Sequence, residues 1–485
     1  MSGDIAALVD TSDATELGRR VKAGEVKASE LVEEAIRRVE ALNPKLNAVC
    51  LKTYELARKM AEDPALPDGP FKGVPFVLKD LGTLWAGLPT TNACPYFKNF
   101  VAPDDMEYVR RIKNLGVVLV GKSNTPELGW CIATENKLYG TTRNPWNEAI
   151  GAGGSSGGSA SAVAAQMVPL ADASDGGGSI RLPAAHCGLV GLKPSRGRIT
   201  LAPHYADFWY GAAVFLCVSR TVRDTANYLD GVHGRWPGDI YFSRAPHGRY
   251  AAMIERPPQR LRIAFTVKAP GGLEVHPEVA EAVKRAAALC EKLGHFVEER
   301  DLDVDYAAFS KTFTRVCAVK NATGFADVAP FFGHEVREDE VSPAIWAQVL
   351  LGRSISGIEH SQDVDRMRLF GRQIVEQTTV ADVHIMPVMR HPPRPHKYYD
   401  MYELDNATFT DERLMPDVAF TSPFNVSGQP ALSLPLHWTK DGLPIGVQFV
   451  GNESDEATLL RLGAQIERAA PWRQRRPPIS AASAH

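Results

Sequence analysis

The sequence predicts an α/β fold, because short apolar runs of strand length alternate with segments whose apolar residues recur at helical spacing. Hydrophobic residues make up 44% of the 485 positions, which is enough to build a sizeable core. Length alone would allow two or three domains, although single α/β domains can be large. We expect one domain over residues 1–475, followed by a loose C-terminal tail over residues 476–485.

The first predicted element is an amphipathic helix that begins after Ser29 and ends before Asn43 and Pro44. Its apolar residues fall on one face, as in a helix that packs on a core: Leu31, Val32, Ala35, Ile36, Val39 and Leu42. The alternation continues through the first half of the chain. We expect strands at 73–80, 117–120, 168–171 and 187–194, and helices at 106–115 and 160–168.

The second half is regular at its two ends, with strands expected at 261–265, 383–387, 431–435 and 445–450 and helices at 276–293 and 456–469. Most of residues 302–420 mix aromatic side chains, Met and Pro without clean periodicity. A region of this kind often covers a binding site. We therefore expect residues of about 230–420 to form a variable insertion that shapes a substrate pocket.

Composition and charge argue against several classes of protein. The formal net charge is -3 with both signs well mixed, which gives no electrostatic footprint for nucleic acid or an acidic membrane. Seven scattered cysteines without a CxxC pair indicate neither a zinc site nor a disulfide framework, and they favour a reducing compartment. The N-terminus lacks the order of a signal peptide, and no apolar run approaches the roughly 18 residues of a membrane span. We expect a cytoplasmic protein that needs no metal or other cofactor.

Two clusters of glycine and serine bracket a run of small residues: 151–159 (GAGGSSGGS) and 175–181 (DGGGSIR). Glycine is used where backbone turns sharply or lets a ligand come close, so the clusters predict a backbone-lined pocket that contains hydroxyl groups. A flexible linker has a similar composition, but the apolar flanks favour buried elements. The G-x-S-x-G pattern around Ser155 and Ser156 also matches the nucleophile turn of α/β-hydrolases, so an enzyme of that class with a histidine base remains an alternative.

Seven segments together resemble the amidase signature family: 73–80 (GVPFVLKD), 121–127 (GKSNTPE), 153–159 (GGSSGGS), 175–181 (DGGGSIR), 187–194 (CGLVGLKP), 219–224 (SRTVRD) and 423–430 (PFNVSGQP). They run over nearly the whole chain in the order and spacing of that family. The resemblance implies the amidase signature fold, a central mixed β-sheet flanked by helices on both faces. Within the family, the sequence looks most similar to the 6-aminohexanoate cyclic-dimer amidases.

By this resemblance the reacting groups are a Ser–cisSer–Lys triad, with Ser179 as nucleophile, Ser155 as a bridging serine on a cis peptide bond, and Lys79 as base. A serine hydroxyl attacks an amide poorly unless a positioned base removes its proton. An ordinary lysine is protonated at neutral pH, but burial in an apolar strand lowers the pKa of the amine. From the residues alone, the amine of Lys79 could also extend to water.

The resemblance also implies an oxyanion hole in the second cluster, where Gly176, Gly177, Gly178 and Ser179 can aim backbone N–H groups into one concavity. The family usually has a polar residue at the position of Gly176, so we expect this loop to be freer than usual. Asp175 and Arg181 lie on either side of the loop and could bind the substrate, but a structural ion pair is favoured.

Further pocket residues are predicted with alternatives. Ser156 and Ser159 could hydrogen-bond around the triad or cap a helix. His186 stands where many family members carry an aromatic residue, and it could be a packed histidine or a substrate contact. The resemblance to the cyclic-dimer amidases places Cys317 beside the pocket, whereas the residue alone could be a buried core cysteine. Ser156, His186 and Cys317 are assigned to the substrate pocket.

The expected function is hydrolysis of the C–N bond of a small, uncharged, non-peptide amide, linear or cyclic, with aryl amides and carbamates (urethanes) included. The expected partners are this substrate and water, and a homodimer is compatible with the sequence. Two alternatives remain open: the glutaminase subunit of a tRNA-dependent amidotransferase, and a non-catalytic protein that binds a ligand with its glycine loops. Family members act on very different substrates with near-identical motifs, because specificity lies in the pocket.

Overall fold

The computed structural model describes residues 2–481, with side chains from residue 5 onwards. Its strands are β1 (Val49–Lys52), β2 (Pro75–Lys79), β3 (Val118–Ser123), β4 (Arg143–Asn144), β5 (Asn147–Gly151), β6 (Leu170–Asp175), β7 (Val190–Lys193), β8 (Val214–Ser219), β9 (Arg262–Phe265), β10 (Phe296–Glu299), β11 (Val383–Pro387), β12 (Ala431–Trp438) and β13 (Pro444–Gly451).

The helices that surround these strands are α1 (Ser2–Thr11), α2 (Ala14–Lys22), α3 (Ala28–Leu46), α4 (Tyr54–Glu62), α5 (Glu107–Asn114), α6 (Gly157–Ala164), α7 (Arg181–Cys187), α8 (Val222–Val232), α9 (Tyr250–Met253), α10 (Pro277–Lys292), α11 (Tyr306–Phe332), α12 (Pro343–Ser354), α13 (Gly357–Thr378), α14 (Met415–Asp417), α15 (Ser422–Ser427) and α16 (Glu456–Ala469). A π-helical segment, Ala407–Leu414, leads into α14.

One large mixed sheet organises the molecule. Over residues 2–481 its eleven strands lie in the order β1-β3-β2-β6-β8-β7-β12-β13-β11-β9-β10, and β4 and β5 form a separate pair. β2 runs parallel to both of its neighbours, β3 and β6, whereas most of the other neighbouring strands are antiparallel. Helices pack against the sheet along its length, including α4 on β3 and α16 on β12. The predicted α/β fold, a central mixed sheet flanked by helices, is confirmed.

The parallel arrangement of β2 and β6 positions the site. The register pairs Phe76 with Leu170 and Val77 with Ala171, so both strands end at the same edge of the sheet. Every residue of β2 is buried, which explains its continuous apolar sequence, since an interior parallel strand is covered on both faces. The chain therefore carries Lys79, the last residue of β2, to the edge where β6 also ends.

Several predicted boundaries agree with the structure and others shift. The strand at 383–387 and the helix at 456–469 have the predicted ends. The first amphipathic helix, α3, continues through Pro44 to Leu46 instead of ending before it. It ends where Asn47 adopts a left-handed conformation, with a φ of 50°. A proline removes one helical hydrogen bond, which costs little in a last turn that is about to end.

The region of residues 230–420 does not lie wholly over one site. It supplies β9, β10 and β11, which complete one end of the large sheet. Between them, the long helix α11 packs against α12 and α13 around a second apolar cluster that includes Phe309, Phe313 and Val349. The part without clean periodicity is thus largely helical, and α11 reaches the cavity described below.

The loose tail predicted for residues 476–485 is wrong in its described part. Ala481 is buried, and its N–H donates to the carbonyl oxygen of Ala165 at 3.0 Å. The N–H of Ile479 is also hydrogen-bonded to a backbone carbonyl in the body of the protein. The burial and backbone hydrogen bonds of the residues after the prolines keep this segment packed against the domain. Residues 482–485 lie outside the described residues.

The described chain contains no helix with the length and apolarity needed to cross a membrane. All seven cysteines carry free thiols, and every one except Cys50 is buried. Nor do residues 2–481 bring together three His, Cys, Asp or Glu side chains in an arrangement that could hold a metal ion.

Candidate active site

A cavity of about 440 Å³ lies at the edge of the sheet where β2 and β6 end. Its wall is mostly apolar and aromatic, and it is formed by Leu81, Phe97, Leu128, Phe208, Trp209, Phe215, Phe325 and Val328. The polar part of the lining contains Ser155, Ser174 and Ser179, and it also includes the charged side chains of Asp207, Lys320 and Asp327. Its size and mostly apolar lining are those of a site for a small molecule.

Lys79 is completely buried beside this cavity. Its Nζ lies within hydrogen-bond distance of three hydroxyl oxygens: Ser155 Oγ at 2.7 Å, Ser156 Oγ at 2.8 Å and Ser174 Oγ at 2.9 Å. The amine is therefore surrounded by three serine hydroxyls, and the alternative in which Lys79 extends to water is wrong.

Burial sets the charge state of this lysine. It lowers the pKa of Lys79 to about 7, although the negative charges of Asp172 and Asp175 oppose the shift. A substantial fraction of the amine is therefore neutral near pH 7, and a neutral amine can accept a proton.

Ser155 connects the amine to the cavity, since it both contacts Lys79 and lines the cavity. The peptide bond between Gly154 and Ser155 is cis. Ser156 does not reach the cavity lining, which corrects its assignment to the substrate pocket. Its hydroxyl contacts Lys79 and donates to the carbonyl oxygen of Ser174 at 3.3 Å. Ser156 thus contacts the amine of Lys79 without lining the cavity.

Ser159 lies one helical turn further on, inside α6. Its hydroxyl donates to the carbonyl oxygen of Asp172 at 2.6 Å and lies 2.7 Å from the hydroxyl of Ser123. These contacts join α6 to β6 and β3, so Ser159 fastens the first glycine cluster to the sheet.

Ser179 lies in the turn between β6 and α7 and is 8% exposed, with its side chain on the cavity. Within residues 2–481 its hydroxyl takes part in no hydrogen bond, so the oxygen is free to meet a ligand. Gly178 before it has a φ of 138°, a conformation that favours glycine. A Cβ at Gly178 would also lie 2.6 Å from Thr421 Oγ1, so the turn depends on this glycine.

The glycine loop offers fewer free donors than the sequence predicts. The N–H of Gly178 donates to Asp175 Oδ1 at 2.8 Å and is unavailable to an oxyanion, which corrects its predicted role. Gly176 lines the cavity beside Ser179. The carbonyl of Gly177 accepts a hydrogen bond from Thr421 Oγ1 at 2.6 Å, which fixes the orientation of its peptide unit.

Asp175 and Arg181 form the expected ion pair, with 2.8 Å between Arg181 Nη2 and Asp175 Oδ1 and both side chains fully buried. The guanidinium also donates to Gln448 Oε1 at 2.7 Å and to Asn425 Oδ1 at 2.6 Å. Burial would raise the pKa of Asp175, but Arg181 and Asn425 hold it well below its usual range. Through these hydrogen bonds the ion pair connects both ends of the nucleophile turn to the C-terminal part of the chain.

Two members of the site, Ser174 and Asp172, were not predicted from the sequence. Ser174 contacts the lysine amine, and Asp172 accepts a hydrogen bond from the backbone N–H of Lys79 at 3.2 Å. Burial raises the pKa of Asp172 to about 7, although a hydrogen bond from Tyr108 opposes the shift. The available signal was the alternation of polar and small residues along β6, which places Asp172 and Ser174 on one face of the strand.

His186 and Cys317 do not line the cavity. His186 is buried behind Gly153, where a Cβ would lie 2.9 Å from its Nδ1. Burial lowers the pKa of His186 to about 4, which keeps the ring neutral. Cys317 faces the apolar cluster between α11 and its neighbours, and burial raises its pKa. Both assignments to the substrate pocket are wrong, because these side chains point into the core.

Comparison with known proteins gives a consistent result. The family model described as Amidase matches residues 30–460. A 6-aminohexanoate-cyclic-dimer hydrolase from Paenarthrobacter ureafaciens is 38% identical over 480 residues, with 96% of each chain covered. A solved structure of 6-aminohexanoate cyclic dimer hydrolase superposes with a TM-score of 0.90 at 38% identity, over 96% of this chain and 99% of that one. A bacterial aryl acylamidase of the amidase signature family has a TM-score of 0.85 at 26% identity, over 96% and 97% of the two chains.

Proposed function

This chain belongs to the amidase family and is an amide hydrolase, and from that premise we propose that it cleaves small, uncharged, non-peptide amides through an acyl-enzyme on Ser179. The observation that carries the proposal is the buried Lys79 amine, which lies 2.7 Å from Ser155 Oγ beside a cavity that Ser179 lines. A neutral amine in that position can act as a base, and Ser155 is the group between it and the cavity.

The protonation of the site supports this direction of proton transfer. A neutral amine has two hydrogens and one lone pair, yet Lys79 Nζ has three hydroxyl neighbours. At least one hydroxyl must therefore donate to the lone pair. The hydroxyl hydrogen of Ser156 is directed to a carbonyl oxygen. The lone pair is left to Ser155 or Ser174, and Ser155 is the one that the proposal requires.

The reaction then proceeds in two halves. Ser179 Oγ forms a bond to the amide carbon and passes its proton through Ser155 to Lys79, and the carbonyl oxygen becomes an oxyanion. The proposed donors to that oxyanion are the N–H groups of Gly176, Gly177 and Ser179. When the C–N bond breaks, the leaving nitrogen takes the proton back from Lys79 through Ser155. Water repeats the sequence on the acyl-enzyme and releases the carboxylic acid.

The proposed substrates follow from the cavity and from the relatives. The wall is mostly apolar and aromatic, which suits an uncharged alkyl or aryl group next to the amide. Similarity to 6-aminohexanoate-cyclic-dimer hydrolases over nearly the full length supports amides of cyclic as well as linear form. Likeness to an aryl acylamidase supports the inclusion of aryl amides, and carbamates belong to the same proposal.

The single-domain organisation, the role of residues 230–420 as a variable insertion, a cytoplasmic location and a homodimer stay predictions. The proposed chemistry uses only side chains, backbone and water. Of the alternatives, the α/β-hydrolase with a histidine base is wrong, because the fold is that of the amidases. The non-catalytic binding protein is set aside, because the chain is an amide hydrolase.

The test of the proposal is Ser179→Ala. Hydrolysis of a simple amide should fall by at least about 10³-fold, because the covalent step is lost, while binding of the substrate persists in calorimetry. A fluorophosphonate should label the wild-type protein at Ser179 and leave the variant unlabelled. Undiminished turnover in Ser179→Ala would refute the nucleophile assignment.

Ser161→Ala is the matched control. Ser161 is a buried serine in α6 whose hydroxyl donates to the carbonyl of Arg143 at 2.9 Å, away from Lys79. It should lose about 1 kcal/mol of stability and keep its turnover. The remaining alternative, a glutaminase subunit, predicts that the purified chain alone hydrolyses no simple amide, so the wild-type assay separates the two.

A further inference from the structure

The need for glycine at position 176 comes from a neighbouring side chain and not from its own backbone conformation. Its φ lies outside the left-handed range, so this angle does not require a glycine. A Cβ at this position would instead lie 2.5 Å from Cζ3 and 2.8 Å from Cε3 of Trp209. The indole ring therefore occupies the space that a side chain at position 176 would need.

The indole of Trp209 is held on several sides. The ring lies in T-shaped contact with Trp130, at a centroid distance of 5.6 Å, and with Phe313, at 6.2 Å. Its Nε1 donates a long hydrogen bond of 3.4 Å to Asn321 of α11. The backbone of Trp209 and Tyr210 takes φ values of 49° and 54°, a left-handed conformation rare for aromatic residues. Such a conformation persists where the surroundings fix it, so the ring is a rigid part of the wall.

Trp209 stands next to the reacting carbon in the proposed mechanism. Trp209, Gly176 and Ser179 line the same cavity. In the acyl-enzyme, the amide carbon is bonded to Ser179 Oγ and its carbonyl oxygen points to the glycine loop. The acyl chain then lies against the cavity wall beside that loop. In that pose the first carbon of the acyl chain lies beside the glycine loop, where the indole fills the Cβ position of Gly176.

We propose that Trp209, fitted against the bare Cα of Gly176, determines acyl specificity by admitting amides whose carbon next to the carbonyl is unbranched and excluding those branched at that carbon. The inference deepens the proposed function and rests on it, because it needs the acyl group to be held at Ser179. A side chain at position 176 is incompatible with this wall, because the indole occupies the place of its Cβ. Gly176 and Trp209 therefore form a steric pair.

The direct test compares butyramide with its isomer 2-methylpropanamide, which has the same atoms but branches next to the carbonyl. Ammonia release should show that the wild-type enzyme prefers butyramide by about tenfold or more in kcat/KM. Trp209→Ala should reduce that preference by about tenfold, mainly through a gain on the branched isomer. Trp209→Phe, which keeps a flat ring and is less disruptive to folding, should give an intermediate preference.

A second test measures the steric pair itself. Gly176→Ala should lower kcat/KM by about tenfold or more in the wild-type background, because the new Cβ collides with the indole. Combined with Trp209→Ala, the same change should cost much less. Gly177→Ala is the matched control, since a Cβ there has no heavy atom within 4 Å. Its effect should be the same with and without Trp209→Ala.

Two outcomes would overturn the inference: an equal preference for both isomers in the wild-type enzyme, or the same preference in wild type, Trp209→Ala and Trp209→Phe when thermal unfolding shows folded protein. An additive effect of Gly176→Ala and Trp209→Ala would also refute the steric pair. Failure of the proposed function has a different signature, because Ser179→Ala would then retain turnover. If Ser179 is required and the isomer preference does not respond to Trp209, only the present inference fails.

Discussion

Replacing Lys79 by methionine removes a titrating amine from the interior and keeps an unbranched side chain of similar length. Burial lowers the pKa of Lys79 to about 7 from an ordinary value of 10.5. A lysine shifted in this direction destabilises the fold at low pH, because the unfolded chain binds the proton more tightly. The penalty is complete below about pH 7 and disappears as the pH rises towards about 10.5.

The magnitude follows from these two pKa values. Between about pH 7.5 and pH 9.5, linkage gives a rise of about 2.5 kcal/mol in the free energy of unfolding from Lys79 alone. Lys79→Met should lose this rise, so the difference in stability between wild type and variant should change by about 2.5 kcal/mol over the interval. Turnover should fall by at least about 10³-fold, because the base is gone.

Lys193 provides a matched control. It is buried, its pKa is also lowered to about 7 by burial and the positive charge of Arg181, and its Nζ donates to the carbonyl of Pro194 at 2.9 Å. It does not line the cavity. Lys193→Met should therefore show the same change of stability with pH as Lys79→Met but retain most of its turnover.

Urea unfolding followed by tryptophan fluorescence at the two pH values, with amide hydrolysis measured in parallel, separates the possibilities. The wild-type rate should also rise with pH through about 7, since only the neutral amine of Lys79 accepts a proton. If Lys79→Met keeps the full stability rise of the wild type, the folded protein holds a charged amine and the base assignment is refuted. Retained turnover in Lys79→Met would refute it as well.

Two further substitutions test the turn that carries the nucleophile. Arg181→Met should destabilise the protein by about 3–5 kcal/mol in urea unfolding, because Asp175 would be left as a buried carboxylate without its cation; a loss below about 1 kcal/mol would contradict this. Gly178→Ala should lower both the thermal midpoint and the turnover, since its φ of 138° disfavours a side chain and the new Cβ would meet Thr421. An unchanged midpoint would show that the turn tolerates a side chain.

The parts of the fold that the sequence predicts well are those fixed by local pattern. The strand of Val383–Pro387 is a short apolar run, and the helix of Glu456–Ala469 is strictly amphipathic, so both ends of each element are legible. The ion pair of Asp175 with Arg181 follows from opposite charges on either side of a tight turn. Lys79 stands out because it ends a buried strand.

The rest depends on contacts between distant parts of the chain. Helix α11 packs against α12 and α13 and also lines the cavity, so apolar residues occur on several of its faces and no single periodicity emerges. The position of Trp209 is set by Trp130 and Phe313, which are far away in sequence. Cys317 lies on the right helix, but one helical turn before Lys320 and Asn321, which line the cavity, and a motif cannot make this distinction.

The hydrogen bonds of Arg181 have a consequence for any attempt to shorten the protein. All the groups assigned to bond making and bond breaking stand between residues 79 and 179, which suggests a compact reactive module. Yet the guanidinium of Arg181, which stabilises the turn, itself donates hydrogen bonds to Thr421, Asn425 and Gln448. A fragment ending before Thr421 would keep every reacting atom but lose the hydrogen-bond acceptors that fix Arg181 and, through it, the turn. The activity therefore requires the complete chain, and transferring the motifs alone to another protein would not reproduce it.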